Sequence, residues 1–296
     1  MSAPKFSVVI PAKDESATIG SLVTRLKALL PDAEVLVVDD GSGDSTSAVA
    51  QQAGARVIRH PVSRGNGAAI KAGARAAAGP TLIFMDTDGQ HDPASIPALL
   101  ARLDSGYDMV VGARSASMHS SLPRLLANRI YNVLASWMTG VAVTDLTSGF
   151  RVARADVFKQ FISLLPNGFS YPTTSTMAFL RGGYCVAFEP VAVQARTGAS
   201  RSHIRPLRDG TRFLVIIFKV ATLYSPLKVY LPFSALFFVS GLLYYLYTLI
   251  SSGRFTNLGA LLFTASIVVF LIGLVSEQIT SLFYLNADRD RDRTPR

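Results

Sequence analysis

Disulfides, secretory signals and charge are all scarce in this chain, and each scarcity narrows what the protein can be. One cysteine, Cys185, stands among 296 residues, so no internal disulfide can form. No signal-peptide pattern precedes Phe6, so export through a cleaved leader is not expected. Charged residues make up 17% of the chain against 49% hydrophobic, and the shortage is concentrated. From Val229 to Ile250 there are 22 residues without a charge, and from Phe255 to Ser276 another 22, parted by Ser251-Ser252-Gly253-Arg254. At about 1.5 Å per residue, each run is long enough to cross a hydrocarbon core of roughly 30 Å. Tyr230, Tyr244, Tyr245, Tyr247 and Tyr284 sit toward the ends of these runs, where amphipathic rings favour the interface. The pattern predicts a membrane hairpin over residues 229–285, with spans at 229–250 and 257–282.

The excess of base over acid points the same way. The 29 Lys and Arg against 20 Asp and Glu give a net charge of +9, and +6 of it lies in residues 201–296. Arg201, Arg205, Arg208, Arg212, Lys219 and Lys228 precede the first run, whereas the connecting turn carries only Arg254. Cations collect on the cytoplasmic side of spans, so both chain ends are expected in the cytoplasm, at a bacterial inner membrane. A sequence pI of about 9.8 could point to nucleic acid. These bases cluster beside the spans without an aromatic-interleaved groove, which favours anionic lipid and excludes nucleic acid as the expected partner. Thr211 to Tyr224 is apolar but too short to span, and residues 205–228 read as an interfacial helical segment. A short tail, 286–296, follows the hairpin. The spans also offer a surface for homo-oligomer formation.

Residues 1–204 read differently. Phe6 to Ile10 is a β-branched run stopped by Pro11, and Ile19, Leu22, Val23, Leu26, Leu29 and Leu30 follow at helical spacing. Val35 to Val38 is a second apolar strand, ending in Asp39-Asp40-Gly41-Ser42. A helix is predicted from Ser45, whose hydroxyl can cap it, and a third strand at Arg56 to Ile58. Beyond a glycine-rich loop, Arg64-Gly65-Asn66-Gly67, a helix is predicted over 68–78 and a strand over Leu82 to Met85. Alternating strands and helices predict an α/β fold with a parallel sheet covered on both faces. Three strands in this series end in acids: Asp14 and Glu15, Asp39 and Asp40, Asp86 and Asp88. Carboxylates crowded on one rim repel, so a cation or ligand donors must balance them. Hard oxygen donors at Asp86 and Asp88 suit a divalent cation carrying a nucleotide diphosphate.

Five segments taken in order carry a resemblance: Val8-Val9-Ile10-Pro11-Ala12-Lys13-Asp14-Glu15, Val38-Asp39-Asp40-Gly41-Ser42, Asp86-Thr87-Asp88-Gly89-Gln90-His91, Val111-Gly112-Ala113-Arg114 and Ser148-Gly149-Phe150-Arg151. Together they resemble the family 2 glycosyltransferases of the GT-A fold, a Rossmann-like and mostly parallel α/β architecture. With the hairpin, the chain looks most like the polyprenyl-phosphate glycosyltransferases, which include dolichyl-phosphate mannose synthases and bacterial undecaprenyl-phosphate glucosyltransferases. The resemblance implies inverting transfer of a hexose from a UDP-glucose or GDP-mannose type donor to the phosphate of a polyprenol. It places Pro11, Asp14 or Glu15, and the Asp39-Asp40 pair, Asp39 above all, around the donor base and ribose, with Asp86 nearby. Gly65 and Gly67 would admit the nucleotide to the backbone and Lys71 would offset diphosphate charge. Mg²⁺ or Mn²⁺ would sit on Asp88 and Gln90, making Asp88 catalytic, while His91 would pack locally because hard cations favour oxygen.

For the acceptor, the resemblance implies phosphate binding by Arg114 and Arg129, whose planar forks match that geometry, and less directly by Arg124. Asp145 and Ser148 would shape the acceptor side. Arg196 and the Ser200-Arg201 pair resemble a loop that reaches the donor diphosphate, with Arg201 where Lys is usual. Gly168 to Ser175 lacks the acids that many relatives carry there, so the sugar is left open. Two other readings remain: a polysaccharide-extending relative, and a silent membrane-bound scaffold that only binds a sugar nucleotide. The first lacks its Gln-x-x-Arg-Trp signature here, since the one tryptophan, Trp137, lies in Ser136-Trp137-Met138.

Overall fold

Val8, Val9 and Ile10, Leu36 to Val38, and Leu82 to Phe84 are all fully buried in the computed structural model, as continuous apolar runs are when helices cover both faces of a sheet. The structure describes residues 3–114, 122–168, 170–192, 222, 224–254 and 256–292. Two compact units divide the chain, Met1–Ser202 and His203–Arg296.

The first unit holds seven strands: β1 (Phe6–Ala12), β2 (Ala33–Asp39), β3 (Arg56–Arg59), β4 (Thr81–Phe84), β5 (Met109–Arg114), β6 (Arg151–Arg154) and β7 (Val186–Val191). They lie in the order β3-β2-β1-β4-β6-β5-β7. β1, β2, β3 and β4 run parallel, as do β5 and β7, whereas β6 is antiparallel to both of its neighbours. The sheet is therefore mostly parallel with one reversed strand. Helices α1 (Ile19–Leu29), α2 (Thr46–Gln52) and α4 (Ile96–Asp104) cover one face, packing Ile19, Val23, Leu26, Ala50, Ile96 and Leu99 against Val8, Ile10, Val35, Val37 and Ile83. On the other face, α3 (Asn66–Ala76) brings Gly73 against Val9 and Val38. Beside it, α6 (Ala155–Gln160) and α7 (Tyr171–Arg181) set Phe158 and Tyr171 at 4.5 and 6.3 Å from the Phe84 ring. α5 (Leu122–Thr139) buries Tyr131, Ala135 and Met138, an i, i+4, i+7 stripe.

Several local expectations are corrected. β1 does not stop at Pro11 but runs to Ala12, with Pro11 paired to Val38. Proline fits because the carbonyl of Val9 accepts from Met85 N–H at 3.3 Å, and Pro11, two residues on, faces the same neighbour beyond the end of β4. Ser45 occupies the position before α2 without a side-chain cap; Asp44 Oδ1 accepts from Thr46 N–H at 2.9 Å instead. α3 begins two residues earlier than predicted, at Asn66. Its first turn donates Gly67 N–H to Gly168 O at 3.1 Å and Ala68 N–H to Asn167 O at 2.9 Å, so carbonyls of a distant loop satisfy a helix end.

The second unit contains α8 (Pro226–Ser252) and α9 (Asn257–Asp292), joined across Gly253 in the left-handed region at φ 63°. Pro226–Ser252 and Asn257–Leu282 are each long and apolar enough to span a bilayer. Small residues line their contact: Ser234 and Ser266 exchange hydrogen bonds with each other's carbonyls at 3.0 and 2.9 Å, and Gly241 faces Leu262. Glu277 Oε2 accepts from Leu227 N–H at 3.2 Å and caps the start of α8.

A Cβ on Gly67 would lie 2.0 Å from the carbonyl oxygen of Pro166. Gly67→Ala is expected to cost about 1–3 kcal/mol by overpacking. A denaturation midpoint equal to wild type in detergent would show that the 165–168 loop yields without loss.

Candidate functional site

Parallel pairing brings the acids together. Ala12 is in register with Asp39, and Val9 with Phe84, so the segments after β1, β2 and β4 leave the sheet on one rim. Such strand ends are where open α/β sheets bind ligands.

The first two acidic pairs are largely engaged by the loops themselves. Asp14 sits at φ 56°, and its Oδ1 accepts from Gly43 N–H at 2.8 Å while its own N–H donates to Ser42 Oγ at 3.0 Å. Glu15 N–H donates to Thr46 Oγ1 at 2.8 Å. Fully buried Asp39 accepts from Ser42 N–H at 2.8 Å and from Ser47 Oγ, with Arg59 Nε 3.8 Å away. Asp40, which the resemblance assigns to the nucleotide, is engaged by the loop that leads into α3. Its carboxylate accepts from His60 Nδ1–H and Ser63 Oγ at 2.7 Å, and from the N–H groups of Arg64 and Gly65 at 2.8 Å. Those four donors fill a carboxylate's acceptor sites, so Asp40 holds the loop before α3. Burial alone would raise its pKa, but the hydrogen bonds hold it well below the usual carboxylate range.

Gly65, Gly67 and Lys71 also make contacts within the fold. A Cβ on Gly65 would meet Asn167 O at 2.6 Å, and Gly67 has the tighter contact with Pro166. Lys71 Nζ donates to Leu165 O at 3.0 Å and to Asn167 Oδ1. The glycines admit the 165–168 loop, and the lysine fastens it.

The loop after β4 is more open. Asp86, Asp88 and Gln90 are half-buried around Gly89, which lies at φ 69°, and Asp88 Oδ1 accepts from Gln90 N–H at 3.1 Å. His91 is buried and stacked on Phe150, with ring centroids 5.0 Å apart, which accounts for its packing. Its Nδ1 has no hydrogen-bond partner. Burial lowers the His91 pKa, with Asp88 and Asp145 acting against that and Arg114 with it, so these groups share one electrostatic neighbourhood. Asp86, Asp88 and the Gln90 amide offer hard oxygen donors of the kind that a divalent cation combines with substrate oxygens. Among the described residues no three His, Cys, Asp or Glu side chains converge into a closed metal site.

Arg114 ends β5 and reaches Asp145, with Nε to Oδ2 at 2.8 Å and Nη2 to Oδ1 at 3.0 Å. Nη2 also donates to Thr147 Oγ1 at 2.5 Å, and the Arg114 backbone N–H donates to Asp145 Oδ2 at 3.1 Å. Burial works against both charges, but their pairing outweighs it, raising the arginine pKa and lowering that of Asp145. Among the described residues these contacts engage Nε and Nη2 of the guanidinium. Asp145 thus orients Arg114. Ser148 is buried and donates from Oγ to Gly112 O at 2.6 Å, which ties the β6 approach to β5. Arg129 lies exposed on α5. The side chain of Arg124, together with Arg196, Ser200, Arg201 and most of the juxtamembrane segment, falls outside the described residues.

Three residues given no role in the sequence reading sit within this cluster. Arg151 is fully buried, Tyr171 Oη donates to Gly149 O at 3.0 Å, and a Cβ on Gly149 would lie 2.4 Å from Asp86 Oδ2. The Ser148-to-Arg151 motif was a visible signal, but the reversal of β6 that makes it matter was not.

A mostly parallel sheet with a carboxylate loop at its rim places the chain in the α/β class, whose ligands bind at the strand ends. The chain belongs to glycosyl transferase family 2, whose profile residues 7–162 match, and residues 225–282 match the GtrB C-terminal hairpin. It is a membrane-associated glycosyltransferase. Among similar proteins, polyprenol monophosphomannose synthase of Mycolicibacterium smegmatis is 28% identical over 230 residues, covering 72% of this chain and 84% of that one. Undecaprenyl-phosphate 4-deoxy-4-formamido-L-arabinose transferase of Salmonella paratyphi A is 33% identical over 189 residues, 57% of this chain and 58% of its own length. A crystal structure of glucosyl-3-phosphoglycerate synthase from Mycobacterium tuberculosis with Mn²⁺ and uridine-diphosphate-glucose matches with a TM-score of 0.56 and 26% identity, over 71% of this chain and 75% of that one.

The depressed pKa of Asp40 gives a pH dependence. A carboxyl whose folded pKa is lowered contributes stability that is complete above its unfolded value, about 3.9, and is lost as pH falls toward the folded one. Asp40→Asn is expected to unfold at a lower denaturant concentration than wild type at pH 7, with the gap closing only below about pH 4. A gap that does not narrow on acidification would show that the carboxylate charge is not what holds the loop.

Proposed function

We propose that this chain transfers a hexose from a nucleotide-diphosphate sugar to the phosphate of a polyprenol, at the cytoplasmic face of a bacterial inner membrane and with inversion at the anomeric carbon. The observation that carries this reading is a family 2 domain with an acidic rim loop, joined in one chain to a GtrB-type hairpin. A polyprenyl acceptor partitions into the bilayer, and an enzyme with its own spans is held where that acceptor resides. The names of the relatives, which transfer sugars to polyprenyl or undecaprenyl phosphate, support the same acceptor class.

In this reading Pro11, Asp14, Glu15 and Asp39 surround the base and ribose. Asp88 and Gln90, beside Asp86, hold Mg²⁺ or Mn²⁺; the neighbour crystallised with Mn²⁺ and UDP-glucose supports a divalent ion. When bound, such an ion supplies charge stabilisation at the donor diphosphate. Arg129, Arg124 and the Nη1 side of Arg114 receive the lipid phosphate, with Asp145 and Ser148 fixing the loop behind Arg114. Arg196, Ser200 and Arg201 are assigned to the donor diphosphate by the family resemblance alone.

A phosphate monoester has a second pKa of about 6, so near neutral pH the acceptor is already a largely ionised nucleophile. One of its oxygens forms the new bond to the anomeric carbon as the bond from that carbon to the diphosphate oxygen breaks, and the electron pair leaves with the nucleoside diphosphate. No strong base is required. The protein's share of the work is to hold two anionic groups in line and offset their repulsion.

The test uses detergent-purified protein, undecaprenyl phosphate and a panel of radiolabelled UDP- and GDP-sugars, scoring label that enters the organic phase. One donor is expected to label the lipid, EDTA to abolish transfer, and Asp88→Ala to slow it about 10²–10³-fold, as loss of a main electrostatic group does. Nucleotide binding without lipid labelling from any donor would sink the proposal and favour a scaffold.

A further inference from the structure

β6 runs antiparallel to β4 and starts where β4 ends, and this puts Ser148-Gly149-Phe150-Arg151 against the loop after β4. Gly149 approaches so closely that its Cβ position lies 2.4 Å from Asp86 Oδ2 and 3.4 Å from Tyr171 Oη. Phe150 stacks under His91 at 5.0 Å. Both ends of the carboxylate loop therefore rest on two consecutive residues of one segment.

That segment is held from the far side by α7. Tyr171 Oη donates to Gly149 O at 3.0 Å, and the tyrosine is only 2% exposed. Arg151 donates from Nη2 to Ser148 O, and from Nη1 to Pro172 O at 2.9 Å, Ser175 Oγ at 2.7 Å and Thr176 Oγ1 at 3.1 Å. Its guanidinium carbon lies 5.6 Å from the centre of the Tyr171 ring. Its Nε makes no hydrogen bond, although the side chain is wholly buried. A buried arginine satisfied by carbonyls and hydroxyls is a poor source of stability compared with apolar packing, because desolvation opposes it. What it does supply is direction: one planar fork joins the carbonyl before Gly149 to the first two turns of α7.

We propose that Tyr171 and Arg151 are positioning residues for the metal-binding loop. They fix the Gly149-Phe150 backbone on which Asp86 and His91 rest, and so set the affinity of the Asp86-to-Gln90 loop for a divalent cation bound with a nucleoside diphosphate. The inference rests on the metal reading proposed above.

The test measures Mn²⁺ binding to the full chain in detergent by electron paramagnetic resonance, with UDP and with GDP, beside the thermal midpoint of each variant. Tyr171→Phe keeps the ring and removes one hydrogen bond; it is expected to weaken Mn²⁺ binding about tenfold, as loss of a group supporting a metal ligand does, with a midpoint close to wild type. Gly149→Ala places a methyl against the Asp86 carboxylate and is expected to lose more. Arg151→Lys keeps the charge without the fork and is expected to resemble Gly149→Ala; should it fail to fold, Tyr171→Phe still decides. Mn²⁺ affinities within twofold of wild type in both Tyr171→Phe and Gly149→Ala would overturn the inference while leaving the metal reading intact. A wild-type chain that takes up no Mn²⁺ with either nucleotide would overturn the metal reading and this inference with it.

Discussion

Like charges at the ends of adjacent parallel strands are the constraint around which the first unit is arranged. β1, β2 and β4 run side by side in one direction, so acids that follow them gather on one rim and repel. The fold answers by giving most of these carboxylates fixed donors. Asp40 takes four, Asp39 takes a backbone N–H and a hydroxyl, Asp14 takes Gly43, and Asp145 takes a guanidinium. The loop from Asp86 to Gln90 is half-buried and adds two more carboxylates to the same rim. Stability and binding are thus divided among residues of the same chemical type by what surrounds each.

The reversed strand is the second organising element. A wholly parallel sheet would bring only helix N-termini and loops to the rim. Because β6 runs the other way, its first residue, Arg151, is in register with Phe84 at the end of β4 and with Val111 within β5. The chain just before it passes under the carboxylate loop on one side and is pinned to β5 through Ser148 on the other. One segment therefore couples the loop assigned to the donor and the arginine assigned to the acceptor, which is what an in-line displacement between two anions needs.

Much of this was legible in the residues. Apolar runs ending in acids marked β1, β2 and β4, and helical spacing marked α1, because burial on both faces demands continuous hydrophobicity in strands and a stripe in helices. The two charge-free runs announced α8 and α9 by length alone. Roles depending on neighbours distant in the chain were not legible in the same way. The contacts of Lys71 and Gly67 with a loop about a hundred residues away are one example. Asp39 and Asp40 are adjacent and chemically identical, yet their donors come from different loops. Ser45 is a good cap by type, but Asp44 already satisfies the helix end.

The sequence by itself determined the fold class, the order of the family motifs, the apolar hairpin and the presence of hard oxygen donors, since periodicity, run length and side-chain chemistry are local properties. Only the tertiary structure decided which acids are occupied by the scaffold, that Arg114 is oriented by Asp145, and that Gly149, Arg151 and Tyr171 lie beneath Asp86. Those facts follow from strand order and from the reversal of β6, which rest on pairings between residues far apart in the chain that no local pattern encodes.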